Sequence, residues 1–278
     1  MASPEHQGPD NTTPNSQLSE HATGNRRSDH RHSISGLDTL TQANAAHFSE
    51  SAHFYEELPG TLGLARRVAG AMLSAYAFSD TSTRVLDFAC GIGLLARELA
   101  PHARSIVGVD VSEGAVHVFN KRARMQGIRE DEMRAVCTVL KGEDGELGEH
   151  RFDVVVCSMA YHHLYTPEHT TRVLARFLKP GGTLLVVDLM PRSGIDDSAA
   201  DAVRPVIADR FADVVPHRHG FSEERMRTMF EDADLKNFEY KRIFYGRIPM
   251  YKGSENQPSD GDRRVDFFLA SGEKPSFS

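Results

Sequence analysis

Between Ala65 and Val187, short apolar runs alternate with segments of helical spacing, and few architectures accept that order. Ala65, Val68, Ala69, Met72 and Tyr76 recur as one face of a helix, and Arg84-Val-Leu-Asp-Phe88 then reads as a first strand. Leu94, Leu95 and Leu99 return to helical spacing. The runs Ser105–Val109, Ala135–Leu140, Asp153–Cys157 and Thr183–Val187 predict four more strands, with helices at Val116–Gln126 and after Thr166-Pro167. The run at Asp153–Cys157 is apolar between its ends, as strands buried on both faces tend to be. Thr166 is placed to cap, and Pro167 suits the first helical position. Ser222 can cap a further helix whose core face is Met226, Met229, Phe230 and Ala233, with Phe221 packing back on Met226. Two last runs, near Phe238–Tyr245 and Arg264–Ala270, flank a polar loop at 253–262. The expectation is an α/β fold: a doubly wound, mostly parallel, seven-stranded sheet with a C-terminal antiparallel hairpin.

The N-terminal segment differs in kind. Residues 1–35 contain five apolar side chains (Met1, Ala2, Leu18, Ala22, Ile34) among many Pro, Ser, Asn, Thr and His. Such a composition buries too little surface to offset the entropy of ordering, so residues 1–37 read as a disordered tail and 38–278 as one domain. The tail has no apolar stretch of the signal-peptide kind, and its acids (Glu5, Asp10, Glu20, Asp29) are unlike a mitochondrial presequence. Its histidines (His6, His21, His30, His32) read as solvated residues. No run of eighteen apolar residues occurs, so no membrane span is expected. The net charge of -7 argues against a nucleic-acid partner. The cysteines Cys90, Cys137 and Cys157 form no CxxC pair, which speaks against disulfides and zinc and for a reducing, cytoplasmic setting. Oligomeric state leaves no mark in the sequence.

In a sheet of this kind the ligand lies beyond the carboxyl ends of the strands, at the topological switch point. The first strand runs there into Asp87-Phe-Ala-Cys-Gly-Ile-Gly93, whose glycines let backbone approach a ligand at a helix start. Asp110, nineteen residues after Gly91, ends the second strand and can accept hydrogen bonds from two ribose hydroxyls. Gly91-x-Gly93-x-x-Ala96 also satisfies the dinucleotide fingerprint, so the loop alone is ambiguous. Asp87 tilts the balance. A carboxylate just before the loop repels a pyrophosphate but can hold an ammonium group, which points to a nucleoside carrying an amino acid.

Four ordered motifs carry a resemblance. Val85-Leu-Asp-Phe-Ala-Cys-Gly-Ile-Gly93, Val109-Asp-Val-Ser112, Phe152-Asp-Val-Val-Val-Cys-Ser-Met-Ala-Tyr-His-His-Leu164 and Leu178-Lys-Pro-Gly-Gly182 resemble the class I S-adenosylmethionine-dependent methyltransferases. Within that family the chain is similar to the ubiquinone-biosynthesis-like small-molecule branch, over roughly residues 45–245. The resemblance implies S-adenosyl-L-methionine as cofactor. It implies that Asp87 and Gly91 line the cofactor's methionine end, with Ala89 and Gly93 also among the cofactor-binding residues, that Asp110 binds the ribose, and that Val111 lies against adenine. It places an acid after the third strand at the adenine amine, either Glu143 or Asp144. The resemblance also implies that Ser158 and Met159 border the cofactor near the reactive methyl. His162 and His163 follow the fourth strand on the ligand side, where either can be a general base or a packing residue. Phe48, Phe54 and Tyr55 look like the family's N-terminal lid. The apolar insertion from Pro191 to Gly220 (Val203, Val206, Ile207, Phe211, Val214, Val215) and its His217 fall where family members recognise substrate.

Methyl transfer from a sulfonium releases a neutral sulfur, so it asks for alignment, exclusion of water and, where needed, removal of a proton. The acceptor is expected to be a small molecule with an O, S, C or N nucleophile. Three other readings stay open on sequence alone: a nicotinamide oxidoreductase, a catalytically silent cofactor-binding regulator on this fold, and a protein methyltransferase.

Overall fold

Five strands carry near-continuous apolar runs, and the reason is visible in what covers them. The computed structural model describes residues 26–149, 151–192, 206–207, 211–246 and 265–276, with side chains from Asp38 on, that of Glu149 excepted. It holds a seven-stranded sheet in the order β3-β2-β1-β4-β5-β7-β6. The strands are β1 (Arg84–Phe88), β2 (Ser105–Asp110), β3 (Met133–Cys137), β4 (Phe152–Ser158), β5 (Leu178–Leu189), β6 (Lys236–Gly246) and β7 (Val265–Glu273). Pairing is parallel from β3 through β5, while β7 runs antiparallel between β5 and β6. Because side chains alternate across a strand, neighbours in sequence serve opposite cores. Val85, Val154, Val156, Leu185 and Val187 pack against α2 (Thr61–Ala75), α3 (Leu94–Leu99) and α4 (Glu113–Met125). Leu86, Val155, Cys157, Leu184 and Val186 pack against α5 (Pro167–Phe177) and α6 (Glu223–Glu231).

The chain leaves β1 outward to β2 and β3, then returns to β4 on the other side of β1. That reversal opens a crevice at the carboxyl ends of β1 and β4. The chain divides into a unit Met1–Ser35 and a unit Gly36–Ser278. Helix α1 spans Arg26–Ser51, so helical backbone begins inside the segment read from composition as a tail. Adding residues to an existing helix costs far less than starting one, which is why a polar stretch can extend it. Residues 1–25 with His6 and His21, Val203, and the polar loop at 253–262 lie outside the described residues. Among the described residues no helix is long and apolar enough to cross a membrane.

Several details differ from the sequence reading, among them β5, which starts at Leu178 rather than Thr183. The third strand stops at Cys137 rather than Leu140, because its partner β2 ends at Asp110, the residue registered against Cys137. Thr166 stands at the N-cap of α5 without a side-chain capping bond. Ser222 caps α6 through the Arg225 N–H, as expected.

Candidate functional site

A cavity of about 540 Å³ opens where the strands end. Its floor is the segment after β1 (Asp87 to Leu95), the end of β2 (Asp110, Val111), the segment after β3 (Thr138 to Lys141) and that after β4 (Ser158 to Thr166). Side chains of α1 (Asn44, His47, Phe48), with Tyr55, and of the insertion (Ile207, Phe211, Val214, Val215) close it on the remaining sides.

The turn after β1 is held in a conformation that side chains resist. Ala89 has φ +55, Gly91 φ +52 and Gly93 φ +82. Gly93 has a second reason to be glycine: a Cβ there would lie 2.6 Å from the Phe119 ring of α4. At Gly91 a Cβ would meet nothing within 4 Å, so the backbone there borders open cavity. Met159, after β4, is also left-handed, with φ +56. Left-handed backbone at a non-glycine residue costs about 1–2 kcal/mol, and Ala89 and Met159, two of the five such residues among those described, line the cavity.

Two carboxylates stand on this floor. Asp87 is 2% exposed, and its Oδ2 has no hydrogen-bond partner among the described residues. Burial, reinforced by the nearby charge of Asp110, pushes its carboxyl up to about 8. Asp110 accepts the Gly91 N–H on Oδ2 (2.8 Å) and the Ser112 N–H on Oδ1 (2.9 Å), thereby tying the glycine loop to the start of α4. Burial raises its pKa, opposed by the N–H groups of Ser112, Gly91 and Val111.

The histidine pair is anchored at both rings. His162 Nδ1 lies 2.8 Å from Asp188 Oδ1, and its backbone N–H donates to Asp188 Oδ2 (3.3 Å). His163 Nδ1 lies 2.7 Å from the Val214 carbonyl. Carbonyls and carboxylates only accept, so each Nδ1 carries a proton and each Nε2 is the ring nitrogen left free of these contacts. The ring centroids are 4.3 Å apart. Burial, with His162 and His47 nearby, lowers the His163 pKa well below the ordinary value, against the pull of the Val214 carbonyl.

The structure thus brings Asp87, Ala89, Gly91, Asp110, Val111, Ser158, Met159, His162 and His163 to one cavity, with Gly93 shaping the loop behind it. Glu143 and Asp144 are exposed and stand outside it. The Glu146 carboxylate is the cause: it accepts the N–H groups of Lys141, Gly142 and Glu143 and curls the chain away just after Lys141. Asp144 then reaches Arg151 at 3.7 Å. Thr138 to Lys141 takes the place expected of these acids. Of the lid residues, Phe48 and Tyr55 line the cavity and Phe54 does not; His217 likewise sits outside, its N–H donating to the His162 carbonyl at 3.3 Å. Asp188 was not read from the sequence, although an acid closing the apolar run Leu184–Val187 is itself a signal. Asn44 gave none.

Comparison with known proteins agrees with this geometry. The sequence profile described as a methyltransferase domain matches residues 61–240. An uncharacterized methyltransferase of Schizosaccharomyces pombe is 30% identical over 274 residues, spanning 86% of this chain and 94% of that protein. The ubiquinone biosynthesis O-methyltransferase of Alkalilimnicola ehrlichii is 32% identical over 102 residues, 37% of this chain and 40% of that protein. Phosphoethanolamine N-methyltransferase 2 of Haemonchus contortus, solved with S-adenosyl-L-methionine, shares the fold with a TM-score of 0.57 at 17% identity, over 87% of this chain and 60% of that one.

Proposed function

The chain belongs to the methyltransferase domain family, and from that premise we propose that it transfers a methyl group from S-adenosylmethionine to a small-molecule acceptor. The observation that carries the reading is the buried Asp87 carboxylate. Its unpartnered Oδ2 sits beside a second acid on the cavity floor, an arrangement that favours a ligand bringing a cation and hydroxyl donors. The cofactor's ammonium and ribose hydroxyls supply those groups to Asp87 and Asp110. A dinucleotide fits poorly. Its pyrophosphate needs free loop N–H groups, but those of Cys90, Gly91 and Gly93 already bond to Val109 O, Asp110 Oδ2 and Cys90 O. Asp110 beside the loop adds repulsion, joined by Asp87 once it ionises above about 8.

When bound, the cofactor supplies an electrophilic methyl on a sulfonium. The protein's part is to position and to deprotonate. Phe48, Tyr55, Phe211 and Val214 exclude water from the acceptor. His163 is the base we assign: its depressed pKa keeps it neutral at pH 7, and its Nδ1 bond leaves the Nε2 lone pair to receive the acceptor's proton. His162, held by Asp188, fixes the neighbouring backbone and ring. The net charge of -7 and the two acids favour a small molecule over a nucleic acid.

The test is calorimetric titration with S-adenosylhomocysteine, S-adenosylmethionine and NADH. Both adenosyl ligands should bind, and NADH should not compete. NADH binding as tightly as S-adenosylhomocysteine overturns the reading.

A further inference from the structure

Asn44 presents a hydrogen-bonding demand that the protein leaves unmet. It lies on α1, is 7% exposed, and lines the cavity. Its Nδ2 donates to two carbonyls, Leu40 O at 3.1 Å and His163 O at 3.4 Å. Because both neighbours are acceptors, the amide has one sensible orientation: NH₂ toward the carbonyls, oxygen away from them. That oxygen, Oδ1, is buried and has no partner among the described residues. A carbonyl oxygen kept dry and unpaired is costly, and such atoms are uncommon in folded proteins unless a ligand completes them.

The surroundings define what would complete it. The Nδ2 bond to the His163 carbonyl ties Asn44 to the residue assigned as base. Phe48, one turn further along α1, meets the His163 ring edge-on at 5.1 Å. Val214, whose carbonyl orients that ring, lines the same cavity. The side chain that carries the unfilled acceptor is therefore tied to the backbone of His163 and lines the same cavity as that residue's ring and its apolar neighbours. No arginine lines the cavity among the described residues, and its lining lysine, Lys141, is solvent-exposed.

We infer that Asn44 selects the methyl acceptor: its Oδ1 receives a hydrogen bond from a hydroxyl or N–H group carried on a largely apolar molecule. The inference rests on the cavity being the methyl-transfer site and adds the class of molecule that enters it. An acceptor of this kind satisfies Asn44 with its donor while its apolar body covers Phe48 and Val214. A molecule of the same shape without the donor leaves Oδ1 dry and unpaired. Sites built to bond a donor reject isosteres that lack it far more strongly than apolar pockets reject a change of size.

The experiment uses the full chain saturated with S-adenosylhomocysteine. It is titrated with 2-naphthol and with 2-fluoronaphthalene, a near-isostere that has no donor. The expected result is naphthol binding about tenfold tighter or more, the scale of one satisfied hydrogen bond in a dry site. In Asn44→Ala the preference should fall to less than about twofold, with S-adenosylhomocysteine affinity unchanged. Equal binding of the two probes by the wild-type protein, or binding of neither, overturns the inference. So does a preference that survives in Asn44→Ala. If that variant does not fold, judged by circular dichroism, the wild-type comparison decides alone. Failure of S-adenosylhomocysteine itself to bind overturns the cofactor reading, and this inference with it.

Discussion

Asp110 shows how one side chain does two jobs that sequence reading separates poorly. From its place after β2 it reads as a ribose acceptor. In the fold it is also the knot that joins the glycine loop to α4, through the N–H groups of Gly91 and Ser112. Asp110→Ala should therefore weaken S-adenosylhomocysteine binding by roughly 1.5–3 kcal/mol, the worth of hydrogen bonds to a charged group. It should also lower the melting temperature, because two backbone donors lose their acceptor. Calorimetry and thermal unfolding on the same preparation check both. Affinity lost with no change in melting temperature would mean water replaces the carboxylate at the loop. Unchanged affinity would remove the ribose assignment. Asp188 teaches the same lesson from the other side. Buried at the end of β5, it accepts from His162 Nδ1, His162 N–H and Leu189 N–H, yet nothing in its sequence position names those partners.

At the scale of elements, the turn between β1 and α3 carries two glycines with different reasons for being there, and substitution separates them. Gly93→Ala meets both a left-handed backbone and the Phe119 ring, so it should cost about 2–4 kcal/mol of stability. Gly91→Ala meets only the backbone term, about 1–2 kcal/mol, and places its methyl in the cavity, so its main effect should be on cofactor affinity. Denaturant unfolding beside calorimetry resolves the two; equal stability losses would show that Phe119 yields freely. This turn was legible because glycine between a strand and a helix leaves few conformations to consider. The alternation of strands and helices along the chain was legible for a similar reason, since apolar runs and spacing fix which segments can be buried; the order within the sheet, with β7 between β5 and β6, was not read from the sequence. The loop after β3 was not legible. Where it turns depends on Glu146 capturing three backbone N–H groups, a local choice among several nearby acids, so Glu143 and Asp144 were expected at a cavity they do not reach. The wall formed by α1 was hidden as well, because Asn44 acquires meaning only from carbonyls at Leu40 and, far along the chain, His163.

For the whole molecule, the cavity floor ties stability to pH in a direction opposite to most proteins. Asp87 has its folded-state pKa raised from 3.8 to about 8, so between those values the folded chain holds a proton that the unfolded chain releases. Its contribution is full below the unfolded value and is lost as pH rises through about 8. His163 works the other way. Its folded pKa is depressed, so its contribution is present above the ordinary value of 6.5 and is lost as pH falls through the lowered one. The two trends overlap in the wild-type protein, and Asp87→Asn separates them. The amide keeps the shape and removes the titration, so the variant should gain stability relative to wild type at pH 8.5 and gain little at pH 5. The measurement is the difference in melting temperature between variant and wild type across that range, without ligand. A difference that does not grow with pH would mean Asp87 is solvated in the folded state, and the argument for an ammonium partner would lose its footing. A difference that grows, together with loss of S-adenosylhomocysteine binding in the same variant, ties the cost of burying this carboxylate to the ligand that relieves it.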